Sequence, residues 1–173
     1  MTIFFTSDTH FSDPRILKMP KRPFATLAEH DRALIDNWNR TVGPEDEIWH
    51  LGDFILERHA ERVTELLACL NGVKRLVIGN NDPPATIESP GWASVQHYAE
   101  LRVDARHCIL CHYPFRTWNQ IGKGSIDLHG HSHGQLKELT RQYDVGVDVW
   151  NYRPVPLETI LASRRKGKVS ENS

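Results

Sequence analysis

Apolar and polar positions follow two different periods along the first half of the chain. Short runs of apolar, β-branched and aromatic residues have the composition of buried strands. Between them, apolar side chains recur at the three-to-four-residue spacing of a helix that buries one face. The pattern predicts strands at residues 2–7, 47–51 and 73–78 and helices at residues 27–41 and 58–70.

Capping and turn residues support these boundaries. Thr26 and Glu29 have the spacing of a capping box at the start of the first helix, and Gly43–Pro44 ends that helix. Asn71–Gly72 follows the second helix. Residues 11–25 include several prolines, which exclude a long helix and predict a loop.

The second half of the chain is mainly strand. Residues 98–103 and 107–111, separated by Asp104–Ala105, predict an antiparallel pair. This change in pattern favours an α/β fold of two sheets packed face to face, with helices outside. Further predicted elements are strands at residues 125–129 and 142–149 and a short helix at residues 157–165.

Composition narrows the class of protein. The chain has 173 residues, 39% hydrophobic and 25% charged, as expected for one globular domain over residues 1–165 with a flexible tail over residues 166–173. Lys and Arg number 21 against 22 Asp and Glu, so no basic surface favours a nucleic acid as partner. No apolar run approaches the roughly 18 residues of a membrane span. Residues 1–5 lack the basic region of a signal peptide, so we expect a cytoplasmic location without membrane binding.

The cysteines predict neither a disulfide framework nor a covalently attached haem. Three cysteines are an odd number in a chain without a predicted export signal. Residues 108–112 match the C-x-x-C-H pattern of haem attachment. They lie in a predicted buried strand, however, where positions three apart point to opposite faces.

Groups able to bind metal follow five of the apolar runs. In α/β proteins the carboxyl ends of parallel strands share one edge, where ligand sites form in the loops. Imidazole is the commonest neutral metal ligand near pH 7, and glycines around the final pair of histidines allow a tight turn. The candidate ligands are Asp8, His10, Asp53, Asn80, His112, His131 and His133.

In their order along the chain, these motifs resemble those of the calcineurin-like metallophosphoesterases. That pattern is D-x-H, GD, GN, H and GH-x-H, and it is met by residues 8–10, 52–53, 79–80, 112 and 130–133. The resemblance implies a four-layer αββα sandwich, in which helices flank two mixed β-sheets, and a dinuclear metal centre. It implies that Asp8, His10 and His133 hold one ion, that Asn80, His112 and His131 hold the other, and that Asp53 bridges them.

The donor set agrees with divalent metal ions and phosphoester chemistry. Oxygen and imidazole ligands without thiolate favour Mn²⁺, Fe, Zn²⁺, Co²⁺ or Ni²⁺; we expect Mn²⁺ first and keep Mg²⁺ as an option. Two such ions outweigh the charges of Asp8 and Asp53, so the site would attract an anionic phosphoryl group. A metal-bridging hydroxide would attack phosphorus in line without a covalent intermediate.

Asn81 marks a departure from many members of this family, which have His after the Asn ligand. An amide can donate a hydrogen bond to a phosphoryl oxygen but cannot supply a proton at pH 7. We therefore expect a phosphodiesterase or an enzyme for esters with good leaving groups. Other acids to consider are His50, His97 and Asp82.

Further residues are candidates for substrate binding or for support of the site. Arg116 could pair with a second phosphate, and Tyr113 or Trp118 could stack on a base, which would suit a nucleotide-like substrate; the alternative of a surface arginine and partly buried aromatic side chains stays open. Asp144 or Asp148 could orient a ligand imidazole. Arg15, Lys18, Lys21 and Arg22 either reach an anionic substrate or form a solvated surface, and His129 is expected to support the strand before the metal-binding turn.

Three alternatives to a phosphodiesterase remain open from the sequence. The same site could serve a phosphomonoesterase or a protein phosphatase, or it could belong to a non-catalytic metal-binding interaction module. A nuclease is disfavoured by the balanced charge.

Overall fold

Two β-sheets packed face to face form the centre of the fold. The computed structural model describes residues 1–19 and 21–169, with side-chain environments described through Ser163. The strands are β1 (Ile3–Thr6), β2 (Glu47–His50), β3 (Val73–Val77), β4 (Ser94–Gln96), β5 (Tyr98–Val103), β6 (Arg106–Cys111), β7 (Ile126–His129), β8 (Gln142–Asp144) and β9 (Val155–Pro156). The α-helices are α1 (Leu27–Thr41), α2 (Ala60–Cys69), α3 (Pro84–Ile87) and α4 (Leu157–Val169), and 3₁₀ helices span Pro14–Lys18, Ile121–Lys123 and Val147–Val149.

Both sheets are mixed. The first has the strand order β4-β3-β2-β1-β9, in which only β9 is antiparallel to its neighbour. The second has the order β5-β6-β7-β8, in which β5 and β6 are antiparallel and the other pairs are parallel. The predicted α/β sandwich of two mixed sheets flanked by helices is confirmed, and so is the antiparallel pairing of β5 with β6.

Hydrophobic side chains between the sheets form the inner core. Phe5, Leu51 and Val77 from the first sheet and its strand ends belong to the same cluster as Leu110 and Leu128 of the second sheet, and all five are fully buried. Burial of this kind stabilises the fold by roughly 25 cal/mol for each Å² of apolar surface removed from water. The two sheets are thereby held together directly behind the edge that carries the metal-binding motifs.

A second core lies between the first sheet and helices α1 and α2. Trp38 of α1 and Leu67 of α2 pack in one cluster with Ile48 of β2. The Thr26 hydroxyl accepts a hydrogen bond from the Glu29 backbone N–H at 3.1 Å and caps α1 as predicted. The helical spacing in the sequence therefore corresponds to one buried face on each helix.

The connection between β6 and β7 covers the outer face of the second sheet. Parallel neighbouring strands need a long crossover, which here spans residues 112–125 and contains the 3₁₀ helix Ile121–Lys123. The Phe115 backbone N–H donates to Asp127 of β7 at 3.3 Å, and Trp118 is buried. This outer layer is a loop with a 3₁₀ helix, in contrast to the α-helices on the first sheet.

The strand predicted over residues 142–149 is wrong in its second half. β8 ends at Asp144, and a 3₁₀ helix begins at Val147. The Asp144 side chain accepts a hydrogen bond from the Gly146 backbone N–H at 2.7 Å. The Val147 N–H donates to the Ser7 carbonyl at 3.0 Å, so the chain turns from the second sheet to the end of β1.

Two short strands were not predicted from the sequence, and one helix extends beyond its predicted end. β4 and β9 have three and two residues, too few for a recognisable period in the sequence. Helix α4 continues to Val169, beyond its predicted end at residue 165. Part of the predicted tail, residues 170–173, lies outside the described residues, and the domain boundary stays a prediction. Within the described ranges, no helix has both the length and the apolar character needed to cross a membrane.

Candidate metal centre

Loops that follow five strands meet at one edge of the sandwich. Backbone hydrogen bonds join these loops, because the Asp8 N–H donates to the Gly52 carbonyl and the Gly130 N–H donates to the His112 carbonyl, each at 3.0 Å. The loops follow β1, β2, β3, β6 and β7. They bring together the side chains that the sequence marks as candidate ligands, namely Asp8, His10, Asp53, Asn80, His112, His131 and His133.

Asp8, His10 and His133 form the first cluster. One potential ligand atom from each residue lies within 4.8 Å of the others. The rings of His10 and His133 are stacked, with centroids 5.4 Å apart. Asp8 and His10 are buried, and the His133 side chain is only 17% exposed.

The second cluster contains Asp8, Asp53 and His112, whose potential ligand atoms lie within the same 4.8 Å limit. Asp8 therefore belongs to both clusters. Asn80 Oδ1 lies 3.0 Å from His112 Nε2, and the His131 ring centroid is 5.1 Å from that of His112. Both Asn80 and His131 are exposed, so the second cluster opens towards solvent.

Asp53 lies between His10 and His112. Its Oδ2 atom is 3.5 Å from His10 Nε2, and its Oδ1 atom is 3.6 Å from His112 Nε2. The Asn81 backbone N–H and side-chain Nδ2 donate to these two oxygens at 2.8 and 2.7 Å. Asp82 accepts hydrogen bonds from three backbone N–H groups, including that of Asp53 at 3.0 Å, and burial raises the pKa of its carboxyl. Asp82 thus fixes the loop around Asp53 from behind.

Five of the candidate ligands have a left-handed backbone conformation. Their φ angles are 57° at Asp8, 50° at His10, 57° at Asp53, 66° at His131 and 49° at His133. This region is unfavourable for residues with a Cβ, and such conformations cluster where function requires them. The strained turns point closely spaced side chains towards one site.

Gly130 allows the His131–His133 turn to approach Asp8. A Cβ atom at residue 130 would lie 1.9 Å from Ser7 Oγ and 2.5 Å from Asp8 Oδ2. The His131 backbone N–H donates to the two Asp8 oxygens at 3.2 and 3.0 Å. Only glycine fits this close contact between the two loops.

Carboxylates orient both imidazoles of the first cluster. Asp13 Oδ2 lies 3.2 Å from His10 Nδ1, and Asp148 Oδ2 lies 2.7 Å from His133 Nδ1. A proton on Nδ1 leaves the Nε2 lone pair free to bind metal. Burial opposes ionisation of Asp148, but hydrogen bonds from His133 and Arg22 outweigh it and hold the pKa of this carboxyl below its ordinary range. The same balance, with His10 and an arginine as donors, lowers the pKa of Asp13.

In the second cluster a backbone carbonyl takes the place of these carboxylates. His112 Nδ1 lies 2.7 Å from the Leu51 carbonyl oxygen, and burial lowers the pKa of the imidazole. Among the described residues, the His131 side chain has no hydrogen-bond partner. The second cluster is therefore less firmly held than the first.

The charge balance of the site fits bound cations. Burial raises the pKa of the Asp8 carboxyl to about 8; His133 lowers it, whereas the neighbouring Asp144 and Asp53 carboxylates raise it. The His10 Nε2 atom is buried and has no hydrogen-bond partner among the described residues. Divalent cations would satisfy this nitrogen and favour the ionised carboxylates. The residues present thus fit such ions.

The residues predicted for substrate binding occupy different environments. Trp118 does not form an exposed stacking surface, because it is buried and its Nε1 donates to the Ser125 carbonyl at 3.3 Å. Tyr113 is 46% exposed and its ring lies 4.8 Å from the His131 ring. Arg116 is exposed and lines a pocket of about 250 Å³ that includes none of the candidate ligands; its other lining residues are Pro114, Phe115, Leu136, Lys137, Leu139 and Gln142.

The basic residues of the loop 11–25 separate into buried and exposed groups. Arg22 is buried and donates to Asp148 at 2.9 Å, so it supports the site and does not reach a substrate. Lys21 Nζ donates to the His133 carbonyl at 3.0 Å. Arg15 lies at the rim, where its side chain is 56% exposed.

The remaining candidate histidines join neither cluster. His50 is buried beside Thr9 at 2.9 Å, and burial holds its pKa well below the ordinary value. His97 is exposed, and His129, the last residue of β7, is buried with Nδ1 at 2.8 Å from the Gly130 carbonyl oxygen. Asp13 was missed from the sequence, although it stands three residues after His10 and directly before a proline.

Comparison with known proteins places the chain in a family. The calcineurin-like phosphoesterase superfamily domain matches residues 1–150. The chain is 32% identical over 175 residues to an uncharacterized protein of Methanocaldococcus jannaschii, covering 96% of this chain and 93% of that protein. It is 30% identical over 189 residues to the gene 66 protein of Mycobacterium phage D29, covering 91% of this chain and 93% of that protein.

A solved structure shows the same fold. A protein of unknown function from Aquifex aeolicus superposes with a TM-score of 0.68 and 22% sequence identity, covering 97% of this chain and 98% of that chain. The family match and the clustered metal-ligating residues support a metal-dependent phosphoester hydrolase. The chain belongs to the calcineurin-like phosphoesterase superfamily.

Proposed function

We propose that this chain is a phosphodiesterase that requires two divalent metal ions. We expect both ions to be Mn²⁺. The observation that carries the proposal is the position of Asp53. Its two oxygens face different imidazoles, His10 at 3.5 Å and His112 at 3.6 Å. A carboxylate in this position can bridge two neighbouring ions.

The remaining candidate ligands divide between the two ions. Asp8, His10 and His133 would hold one ion, and Asn80, His112 and His131 would hold the other. Asp8 lies close enough to both clusters to add negative charge to each. When bound, the ions supply positive charge for the phosphoryl oxygens and lower the pKa of the water that attacks phosphorus.

Asn81 supports a preference for diesters or good leaving groups. Its amide donates to Asp53 at 2.7 Å and has no proton to transfer at neutral pH. Two other acids considered from the sequence are engaged elsewhere, since His50 is buried and Asp82 accepts backbone hydrogen bonds. We therefore propose that the leaving group departs without a proton from these residues.

The substrate's leaving group would occupy the exposed side of the second cluster. Tyr113 offers an exposed ring against His131, and Arg116, three residues further along the chain, lines a pocket together with Lys137. Aromatic stacking and a charged contact to a second phosphate would suit a nucleotide-like group. The cytoplasmic location of the protein stays a prediction from the sequence.

The test is hydrolysis of an activated aryl phosphodiester and of the matching aryl monoester. Metal-stripped protein would be assayed alone and with Mn²⁺, Ni²⁺, Zn²⁺ or Mg²⁺ added back, and its metal content would be measured. We expect metal-restored turnover with the diester preferred. Preference for the monoester would identify a phosphomonoesterase instead. Folded protein that fails with every metal would support the metal-binding interaction module.

A further inference from the structure

Arg15 joins two residues that support the metal-ligating side chains. Its Nε and Nη2 atoms donate to the Asp13 carboxylate at distances from 2.7 to 3.0 Å. Nη2 also donates to the Asn81 side-chain oxygen at 3.2 Å. Asp13 in turn orients His10, and Asn81 donates to Asp53. The guanidinium is therefore fixed at the rim, directly beside both clusters.

One edge of the Arg15 guanidinium remains available. Asp13 occupies the edge formed by Nε and Nη2, whereas Nη1 has no hydrogen-bond partner among the described residues. The side chain is 56% exposed. A guanidinium held in this way presents a rigid, permanently charged donor that matches the oxygens of a phosphoryl group.

We propose that Arg15 binds a non-bridging phosphoryl oxygen of the substrate through Nη1 and holds the phosphoryl group beside Asp53. The inference rests on the proposed function and adds to it a residue that contacts the substrate. Arg15 supplies charge and a hydrogen bond, but it supplies no proton because guanidinium does not deprotonate in proteins. Arg15 would therefore select substrates by the negative charge of their phosphoryl group. The leaving oxygen would receive no proton from Arg15.

A purely structural role for Arg15 makes a different prediction. If Arg15 only held Asp13 against His10, its loss would weaken Mn²⁺ binding, as would Asp13→Asn. Phosphate binding to the fully Mn²⁺-loaded protein would then be unchanged. The two roles are therefore separated by measuring the two affinities independently.

The experiment compares Arg15→Gln, Arg15→Lys and Asp13→Asn with a control, Arg40→Gln, whose side chain is 75% exposed on α1. Calorimetry would measure Mn²⁺ affinity and then the affinity of the Mn²⁺-saturated proteins for inorganic phosphate. We expect Arg15→Gln to weaken phosphate binding about 10- to 100-fold, as for a lost charge-assisted hydrogen bond, with Mn²⁺ affinity within about threefold of wild type. Arg15→Lys should recover part of the loss, and Arg40→Gln should resemble wild type.

Unchanged phosphate affinity in Arg15→Gln, or a fall that occurs only together with Mn²⁺ affinity, would overturn the inference. Its failure is distinct from failure of the proposed function. Wild-type protein that binds phosphate through Arg15 but hydrolyses no ester would contradict the hydrolase and keep the contact. Active wild type with an unaffected Arg15→Gln variant would contradict only the contact.

Discussion

The two clusters of the metal centre differ in how their imidazoles are held. In the first, His10 and His133 each face a carboxylate whose side chain is buried, Asp13 or Asp148. In the second, His112 relies on a backbone carbonyl, and His131 is exposed. Carboxylates behind an imidazole raise its basicity and fix its orientation. We therefore expect the first cluster to bind its ion more tightly, and the second to remain open to substrate.

The largest effect should come from the residue between the clusters. Asp53→Asn removes the charge that both ions would share, so activity should fall by more than the roughly 100-fold loss typical of a supporting residue. Asn81→Ala should cost about 10- to 100-fold, because it removes a hydrogen bond to Asp53 but no ligand. Steady-state hydrolysis of the aryl diester would measure both. Equal losses would contradict the different roles assigned to these residues.

Loss of a ligand from the second cluster should weaken one of the two metal-binding steps selectively. His131→Ala should leave one tightly bound Mn²⁺ per chain and weaken the second by at least about 100-fold, beyond the range for supporting residues. Calorimetric titration with Mn²⁺ would count the ions, and the exposed His97→Ala would serve as the control. If His131→Ala removed the tighter site instead, the order of affinities proposed for the clusters would be reversed.

Removing the charge behind His133 should weaken the first cluster selectively. Asp148→Asn should lower the affinity for the tighter Mn²⁺ by about 10- to 100-fold and leave the weaker step nearly unchanged. The variant also leaves the buried Arg22 without its ion pair, so thermal unfolding must be recorded alongside. Asp36→Asn on the surface of α1 is the matched control. A loss of affinity confined to the weaker Mn²⁺-binding step would contradict the role of Asp148 in the first cluster.

The smallest expected change affects both clusters together. Gly130→Ala forces a Cβ into contact with Ser7 and Asp8. Asp8 belongs to both clusters, so both should be affected. We expect about 1 to 3 kcal/mol of destabilisation and weaker binding of both ions. Gly122→Ala, where a Cβ meets nothing within 4 Å, should have neither effect. Denaturant unfolding and Mn²⁺ titration would check this, and selective loss of one ion would show that Asp8 serves one cluster alone.

The metal-binding edge was predictable because local sequence and topology agree there. Asp8, Asp53 and Asn80 follow short apolar strands, and the ends of parallel strands share one edge of the sheet. The glycines on either side of His131 and His133 favour a tight turn through local backbone freedom alone. These features depend on a few neighbouring residues, so they can be recognised in the sequence without knowledge of tertiary contacts.

The supporting residues were harder to predict because they act across the fold. The sequence offered Asp144 or Asp148 as an orienting carboxylate on one continuous strand. The chain instead turns after Asp144, so Asp148 reaches His133 while Asp144 accepts the Gly134 backbone N–H at 2.8 Å. Arg22 and Trp118 are likewise buried through contacts formed in the folded chain. Both lie in loops, where the spacing of residues does not predict burial.

The crossover from β6 to β7 has a consequence for how such a protein can diversify. Residues 113–125 begin directly after His112 and bring the Tyr113 ring against the His131 ring. His112 itself is held by the backbone carbonyl of Leu51, which directly follows β2 of the first sheet. Substitutions or length changes in this connection could therefore alter which esters the protein accepts, while the candidate metal ligands stay in place.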